Sequence, residues 1–498
     1  MTRVIVIGAG VGGLTTAAVL AKAGVDVTVL EAHIYPGGCA GSFYHQGYRF
    51  DAGATLAGGY YTGGPMDLVA KAAGIHSWGV QPSDPTMVVH LPNGIHIPRW
   101  SDERRWSTRQ TAFGTESEAF FLWQESTADA LWDLALREVP WLPQSSRELW
   151  DLARKGYSWI GANPSAHLKP GLLADAIRPI AAHLRDAKDA LRLFIDAQLL
   201  ISAQTTSERA NALYAASALD LPRRGAVHLM GGMGAIASQL AQAVEDHGGR
   251  VLYRRRVKKV TLEGTKPPTI ECQRGEPFTA DTVIFNLPTW NITRLLAPPL
   301  PRALKILPRK PARGWGAFMV YLGVEGKTIP EEFPLHHQII LRRPLAEGNS
   351  IFLSINPVWD TQRAPEGKRA ITISTHTDLW PWWQLYDHDE VGYHRQREQL
   401  QEKILYAVEE ILPGISSAVE LVLDGTPITF ERFTGRAFGW VGGFPQVDLF
   451  QGKAPHLAKD LWMVGDSIFP GQSTAAVALG GLRVASSVLS HLSRNRKG

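Results

Sequence analysis

Cysteine is almost absent: the 498-residue chain carries two, Cys39 and Cys272. One bridge at most can form, which excludes a disulfide scaffold and makes a reducing compartment the expectation. An excess of one charge is missing as well. Lys and Arg number 51 against 47 Asp and Glu, a net +4, so no global field argues for a nucleic-acid partner. Long hydrophobic runs are also lacking. The best candidate, 191–203, is broken by Arg192 and Asp196, short of the ~20 apolar residues that span a bilayer. The sixteen histidines show neither an HExxH pattern nor paired-cysteine spacing, so no metal site is expected. No cleavable signal pattern precedes the apolar run at residues 4–7, so that run is assigned to the fold and a cytoplasmic location is expected.

What the chain does have is the composition of a large globular protein. Apolar residues make up 45%, with 48 Gly and 32 Pro, and ~150 residues per domain gives two large domains or three. Tryptophan is plentiful at 16, a side chain suited to binding pockets and to the membrane–water boundary as well as to cores.

The first forty residues are the most informative. Val4 to Ile7 reads as a buried parallel strand, Gly8-Ala-Gly10-Val-Gly-Gly13 as a tight turn, and Leu14 to Ala23 as a helix closed by Gly24. A second strand, 25–30, ends at Glu31. This is a βαβ unit with a dinucleotide fingerprint. Gly8 permits the turn, Gly10 leaves room for a pyrophosphate, and Gly13 lets helix and strand pack closely. Glu31 accepts hydrogen bonds from a ribose and would repel a 2′-phosphate, which disfavours NADP.

A second glycine turn follows at Pro36-Gly37-Gly38-Cys39-Ala40-Gly41-Ser42, then a small-residue stretch, Phe50-Asp51-Ala52-Gly53-Ala54-Thr55. Backbone at Gly38, Ser42, Gly53, Ala54 and Thr55 is thereby expected close to an extended cofactor. Near the other end, an apolar strand at 461–464 runs into Gly465-Asp466, and Pro470-Gly471-Gln472-Ser473-Thr474-Ala475 opens a helix. Asp466 suits a polyol, with a helix-capping carboxylate as the alternative. The N–H groups at Ser473, Thr474 and Ala475 suit a ring that gains electrons. These needs are those of ribityl and isoalloxazine, so FAD is expected rather than NAD.

Together with Gly231-Gly232-Met233-Gly234 leading into a helix to His247, and with residues 425–436 and 439–443, these motifs resemble the FAD-dependent amine oxidase superfamily. The nearest likeness is to its bacterial-type phytoene desaturase, carotenoid isomerase and retinol saturase branch. The resemblance implies an α/β fold: a Rossmann-like FAD-binding domain from 1–75, 224–295 and 420–498, with a discontinuous sheet-plus-helices substrate domain from 76–223 and 296–419. It implies that the backbone at Val257, at the end of a strand, meets the adenine, and that the substrate is a hydrophobic polyene such as a carotenoid. Many superfamily members place Arg after the double glycine where this chain has Cys39. No other cysteine lies near the terminal motif, so the FAD is expected to be noncovalent.

Elsewhere the sequence predicts a hairpin at 87–98 followed by helices to about 222. Aromatic and leucine faces at 120–141 and 149–160, with basic residues nearby, fit either core packing or contact with a membrane surface. Strands near 316–324, 350–356 and 370–376 predict a second sheet walling the substrate cavity. Trp380, Trp382 and Trp383 fit a tunnel lining or a core, and Arg254-Arg255-Arg256 with Lys258 and Lys259 fits a solvated turn better than an anion site. A polyene offers few polar handles, so no catalytic triad is expected and no catalytic residue is assigned. His376, Glu431 and Arg432 are candidate proton acceptors by position only. Rival readings are a flavin oxidase of amines or porphyrinogens, and a noncatalytic prenyl binder that lacks a flavin.

Overall fold

The computed structural model describes residues 2–264, 266–305, 314–450 and 452–495. Its first sheet has six strands in the order 250–252, 26–30, 3–7, 282–285, 461–463, 456–458. All pair in parallel except the last edge. Strands buried on both faces read as continuous apolar runs, and four consecutive residues of Arg3–Ile7 are buried. The helix Val11–Lys22 is apolar nearly all round because it is enclosed by this sheet, by Gly234–Asp246 and by the C-terminal helix Thr474–Asn495.

That C-terminal helix is the one described helix long and apolar enough to cross a membrane. Here it is a core element. A Cβ at Gly481 would stand 2.8 Å from Gly12 O, and Thr16 Oγ1 donates to Gly481 O at 3.0 Å. The two helices therefore touch backbone to backbone.

The second sheet has seven strands in the order 419–425, 315–325, 368–378, 350–355, 336–340, 88–90, 96–98. The three strands expected from sequence form its centre, and the hairpin at 87–98 extends its edge through a parallel pairing of His337 with Val88. Val419–Gly425 belongs here, paired with Trp315–Glu325, so the boundary expected at 420 moves beyond Gly425. One face carries Phe318, Val320, Leu322, Ile351, Leu353 and Ile373 and packs on Trp382, Leu400 and Ile404. Helices fill most of 104–219 around a core that includes Phe113, Phe121 and Phe194.

One smaller expectation changes and one open alternative is decided. Val257 opens the strand Val257–Thr261 instead of ending one. The tryptophans at 380–383 do not line the cavity described below: Trp382 is stacked on Phe318 behind the large sheet, and Trp383 Nε1 donates to Phe438 O at 3.0 Å.

Candidate functional site

The chain leaves Arg3–Ile7 outward to 26–30 and 250–252, then returns on its other side at 282–285. The reversal opens a crevice beyond the carboxyl ends of these strands, where open α/β sheets bind ligands. The residues just past four strand ends, Gly8, Glu31, Asn286 and Gly465, all line one cavity of about 2010 Å³.

The first glycine turn is tightly built. Gly8 has φ +100°, a left-handed conformation open mainly to glycine. A Cβ on Gly13 would fall 2.6 Å from Gly8 O, and one on Gly10 would fall 2.6 Å from Asn286 Nδ2. Gly10 is thus required by a protein neighbour as well as suited to a phosphate. Glu31 accepts hydrogen bonds from Ala9 N and His33 N, each at 2.7 Å. A carboxylate has about four acceptor positions, so it keeps capacity toward the cavity.

The second glycine turn and the small-residue stretch run side by side. Ala52 N donates to Gly41 O at 2.8 Å and Ala54 N to Cys39 O at 3.0 Å. Tyr321 donates from its hydroxyl to Ala52 O at 2.7 Å, and Ser354 Oγ donates to Thr55 Oγ1 at 2.8 Å, which fixes the stretch to the large sheet. Gly38, Gly53, Ala54, Thr55 and Val257 line the cavity. Ser42 does not: its hydroxyl donates to Asp51 Oδ1 and accepts from Gly234 N, so it joins the two segments instead of facing a ligand.

At the terminal motif, Gly465, Asp466, Ser473 and Thr474 line the cavity. Asp466 caps no helix. Ser473 does, its Oγ accepting from Ala476 N at 3.1 Å, while Asp466 Oδ2 accepts from Arg436 Nη2 at 2.8 Å. Ala475 turns its side chain onto Gly59 and, like Gly13, lies outside the lining. Arg436 lies close enough to Cys39 to perturb its thiol, yet burial outweighs the cation and pushes that thiol up. A positive charge is thus brought beside Cys39 by a residue 397 positions later in the chain.

Two contributors escaped sequence reasoning, and a third group was underrated by it. Asn286 donates to Gly8 O at 3.2 Å; its place at a strand's carboxyl end was the available signal. Gln472 lines the cavity with both side-chain polar atoms buried and without a partner among the described residues, which calls for a polar group from a ligand. Arg255, Arg256 and Lys258 also line the cavity, so the basic cluster is not simply solvated.

The three proton-acceptor candidates separate. Glu431 is engaged by Arg294 at 3.2 Å and by Phe438 N at 2.8 Å. Arg432 lines the cavity as a permanent cation. His376 also lines it, burial lowers its pKa to about 4, and its ring makes no side-chain hydrogen bond among the described residues. It is neutral at physiological pH.

Residues 11–427 match the family described as flavin containing amine oxidoreductase. The chain belongs to that family. Prolycopene isomerase of Daucus carota is 28% identical over 99% of this chain and 81% of its own length. The neurosporene-forming phytoene desaturase of Rhodobacter capsulatus is 24% identical over 97% and 93%. Putrescine oxidase, solved with putrescine bound, superposes with a TM-score of 0.63 at 15% identity, covering 98% and 99%, which shows the shared fold. This flavin amine oxidoreductase is therefore an enzyme with a flavin cofactor, in the branch that holds carotenoid isomerases and desaturases. The cradle fits such a group: glycine turns without side chains, an acidic residue at the second strand end and an unsatisfied glutamine all face one cavity.

Proposed function

We propose that the chain is an FAD-dependent oxidoreductase of a long hydrophobic polyene, a carotenoid desaturase or carotenoid cis–trans isomerase, with FAD held noncovalently. One observation carries this reading: a single, mainly apolar cavity runs from the glycine turns into the helical part of the chain. Its volume of about 2010 Å³ is roughly twice the upper range of ordinary ligand pockets, room for a dinucleotide and a second long molecule. The isomerase and desaturase names of the relatives agree with it.

In this reading the cofactor unit comprises 1–75, 224–295 and the segment after 425, and the remainder shapes the substrate path. Glu31 holds the ribose, the N–H groups of the first helix face the pyrophosphate, Val257 lies at the adenine, and Asp466 meets the ribityl chain. The amides at Ser473 and Thr474, which line the cavity, face the ring, where a helix N-terminus favours negative charge. FAD, when bound, supplies the acceptor for a hydride equivalent. Apolar walls such as Met319, Phe352 and Leu423 exclude water from the reacting double bonds. The raised thiol of Cys39, and the position of Cys272 outside the cavity lining, support noncovalent attachment.

The path's outer end supports contact with a cytoplasmic membrane surface. Leu168, Leu172 and Leu173 line the cavity, and around them Trp150, Tyr157, Leu173 and Ile177 are 71%, 81%, 80% and 86% exposed, with Arg147, Arg154 and Lys169 nearby in sequence. Aromatic, aliphatic and basic groups together suit a headgroup boundary. The test of the function is expression in a host making defined carotenoids, both hydrocarbon and oxygenated, followed by pigment analysis. A new desaturated or isomerised pigment is expected. Unchanged pigments, with the purified flavoprotein oxidising an amine, would overturn the reading.

A further inference from the structure

Away from the glycine turns, the cavity wall formed by the large sheet becomes polar. Alternation along the strands puts Ala317, Met319 and Tyr321 on the cavity side, paired with His376, Ser374 and Thr372. Tyr321 marks the cofactor end through its bond to Ala52 O. Ala317, opposite His376, lies ~13 Å further along the same strand. Ser350, on the neighbouring strand, lines the cavity at this second end.

Beside it stands Arg99, which follows the edge strand His96–Pro98 and lines the cavity. Its guanidinium donates to Gln198 Oε1 and to Leu219 O, the latter at 2.8 Å. Gln198 donates in turn to Gln338 Oε1, and Gln338 to Ser350 Oγ at 3.1 Å. The group also lies 5.5 Å from the centre of the Phe194 ring. All of these partners are neutral. Among the described residues no carboxylate comes within ion-pair distance of Arg99, because Glu125 is taken by Arg105 and Arg109, and Asp220 by Arg223 and Arg224.

Arg99 is half-buried, and Asp220 and Glu125 act on it only from beyond ion-pair distance, so part of its desolvation is left without a contacting opposite charge. Burial pulls the pKa of Arg99 down to about 9, which still leaves it charged at neutral pH. A half-buried cation that faces the cavity with only neutral groups in contact is completed by an oxygen acceptor, best of all a carboxylate, which a planar guanidinium can bind through two parallel bonds.

We propose that Arg99 is a substrate-recognition residue, and that the cavity takes a polyene bearing a carboxylate at the end that reaches it. This deepens the polyene reading above and rests on it. A hydrocarbon at that end would leave the cation uncompensated; an alcohol would give it one neutral acceptor; a carboxylate would neutralise it.

The test uses the flavin-loaded full chain and three polyenes of equal length: a hydrocarbon, its terminal alcohol and its terminal carboxylate. Quenching of tryptophan fluorescence reports binding, since Trp132, Trp141 and Trp159 line the cavity. The carboxylate is expected to bind roughly tenfold or more tighter than the hydrocarbon, with the alcohol between them. Arg99→Gln is expected to level the three and Arg99→Lys to restore part of the preference. Equal affinities in the unaltered chain would overturn the inference, as would an Arg99→Gln chain that loses all three ligands alike. The ranking in the unaltered chain needs no variant, so it decides the matter even where a substitution fails to fold. Binding of none of the three would overturn the polyene reading together with the subsite, an outcome distinct from equal binding, which overturns the subsite alone.

Discussion

Glu31 closes a turn and still lines the cavity. Its carboxylate ties Ala9 N to His33 N, closing the loop that carries the first glycines while leaving acceptor capacity toward the cavity. Glu31→Ala is expected to lower FAD affinity by roughly tenfold to a hundredfold, as loss of hydrogen bonds to a charged group of about 1.5–3 kcal/mol implies; flavin retention on dilution and gel filtration measures it. The buried histidines make a second residue-scale prediction. Burial lowers His90 and His336 to about 3 and His337 and His376 to about 4, from an ordinary 6.5. Below pH 6.5 the unfolded chain takes up protons on these rings and the folded chain does not, so stability falls as pH drops toward 4. Each ring contributes about 1.4 kcal/mol per pH unit across its window. The melting temperature should therefore fall steadily from pH 7 to pH 5. His336→Gln, at a ring whose Nε2 is buried without a partner, should reduce the steepness by about one ring's share. A melting temperature flat over this range would contradict it.

At the scale of elements, alternation along strands decides what a wall presents. In the strand Trp315–Glu325, Ala317, Met319 and Tyr321 face the cavity while Phe318, Val320, Leu322 and Val324 face the core behind, so a single sheet is at once a cavity wall and half of a core. Periodicity located the strands but not their sides, because both faces are apolar and a period of two then carries no contrast. The helix Ser146–Ala162 is the opposite case. It has no buried residue: Leu152, Trp159 and Ile160 line the cavity, while Leu149, Trp150 and Tyr157 stand exposed. Trp150→Glu with Leu173→Glu is expected to cut binding to anionic lipid vesicles roughly tenfold or more and to leave the melting temperature within about 1 kcal/mol equivalent, because both residues are exposed. Co-sedimentation and a thermal scan check the two halves of this statement. Undiminished vesicle binding would remove the membrane contact from the proposal.

For the whole molecule, the cofactor cradle is assembled from segments hundreds of residues apart, so ligand binding and folding are linked. FAD at about a hundred times its dissociation constant should stabilise the folded chain by about 2.7 kcal/mol. Removing the flavin should lower the melting temperature, and adding it back should restore it. The βαβ unit, the second glycine turn, the terminal Gly465-Asp466 motif and the central strands of the large sheet were legible because each is a local pattern of turn residues and apolar period. Asn286, Arg436, Gln472 and Arg99 were not, since a single polar residue carries no period and its role depends on what the fold brings beside it.

The amino-acid order by itself determined that a glycine turn and an acid-ended strand would form a βαβ unit, and that a second glycine turn would follow it, because steric limits on backbone and helix geometry act within a few residues. Only the tertiary structure decided that Arg436 would neutralise Asp466, that Ser42 would join two segments instead of touching a ligand, and that Arg99 would stand charged at the far end of an apolar cavity. Pairing, burial and loss of solvent are properties of neighbours in space, and those neighbours lie far apart along the chain.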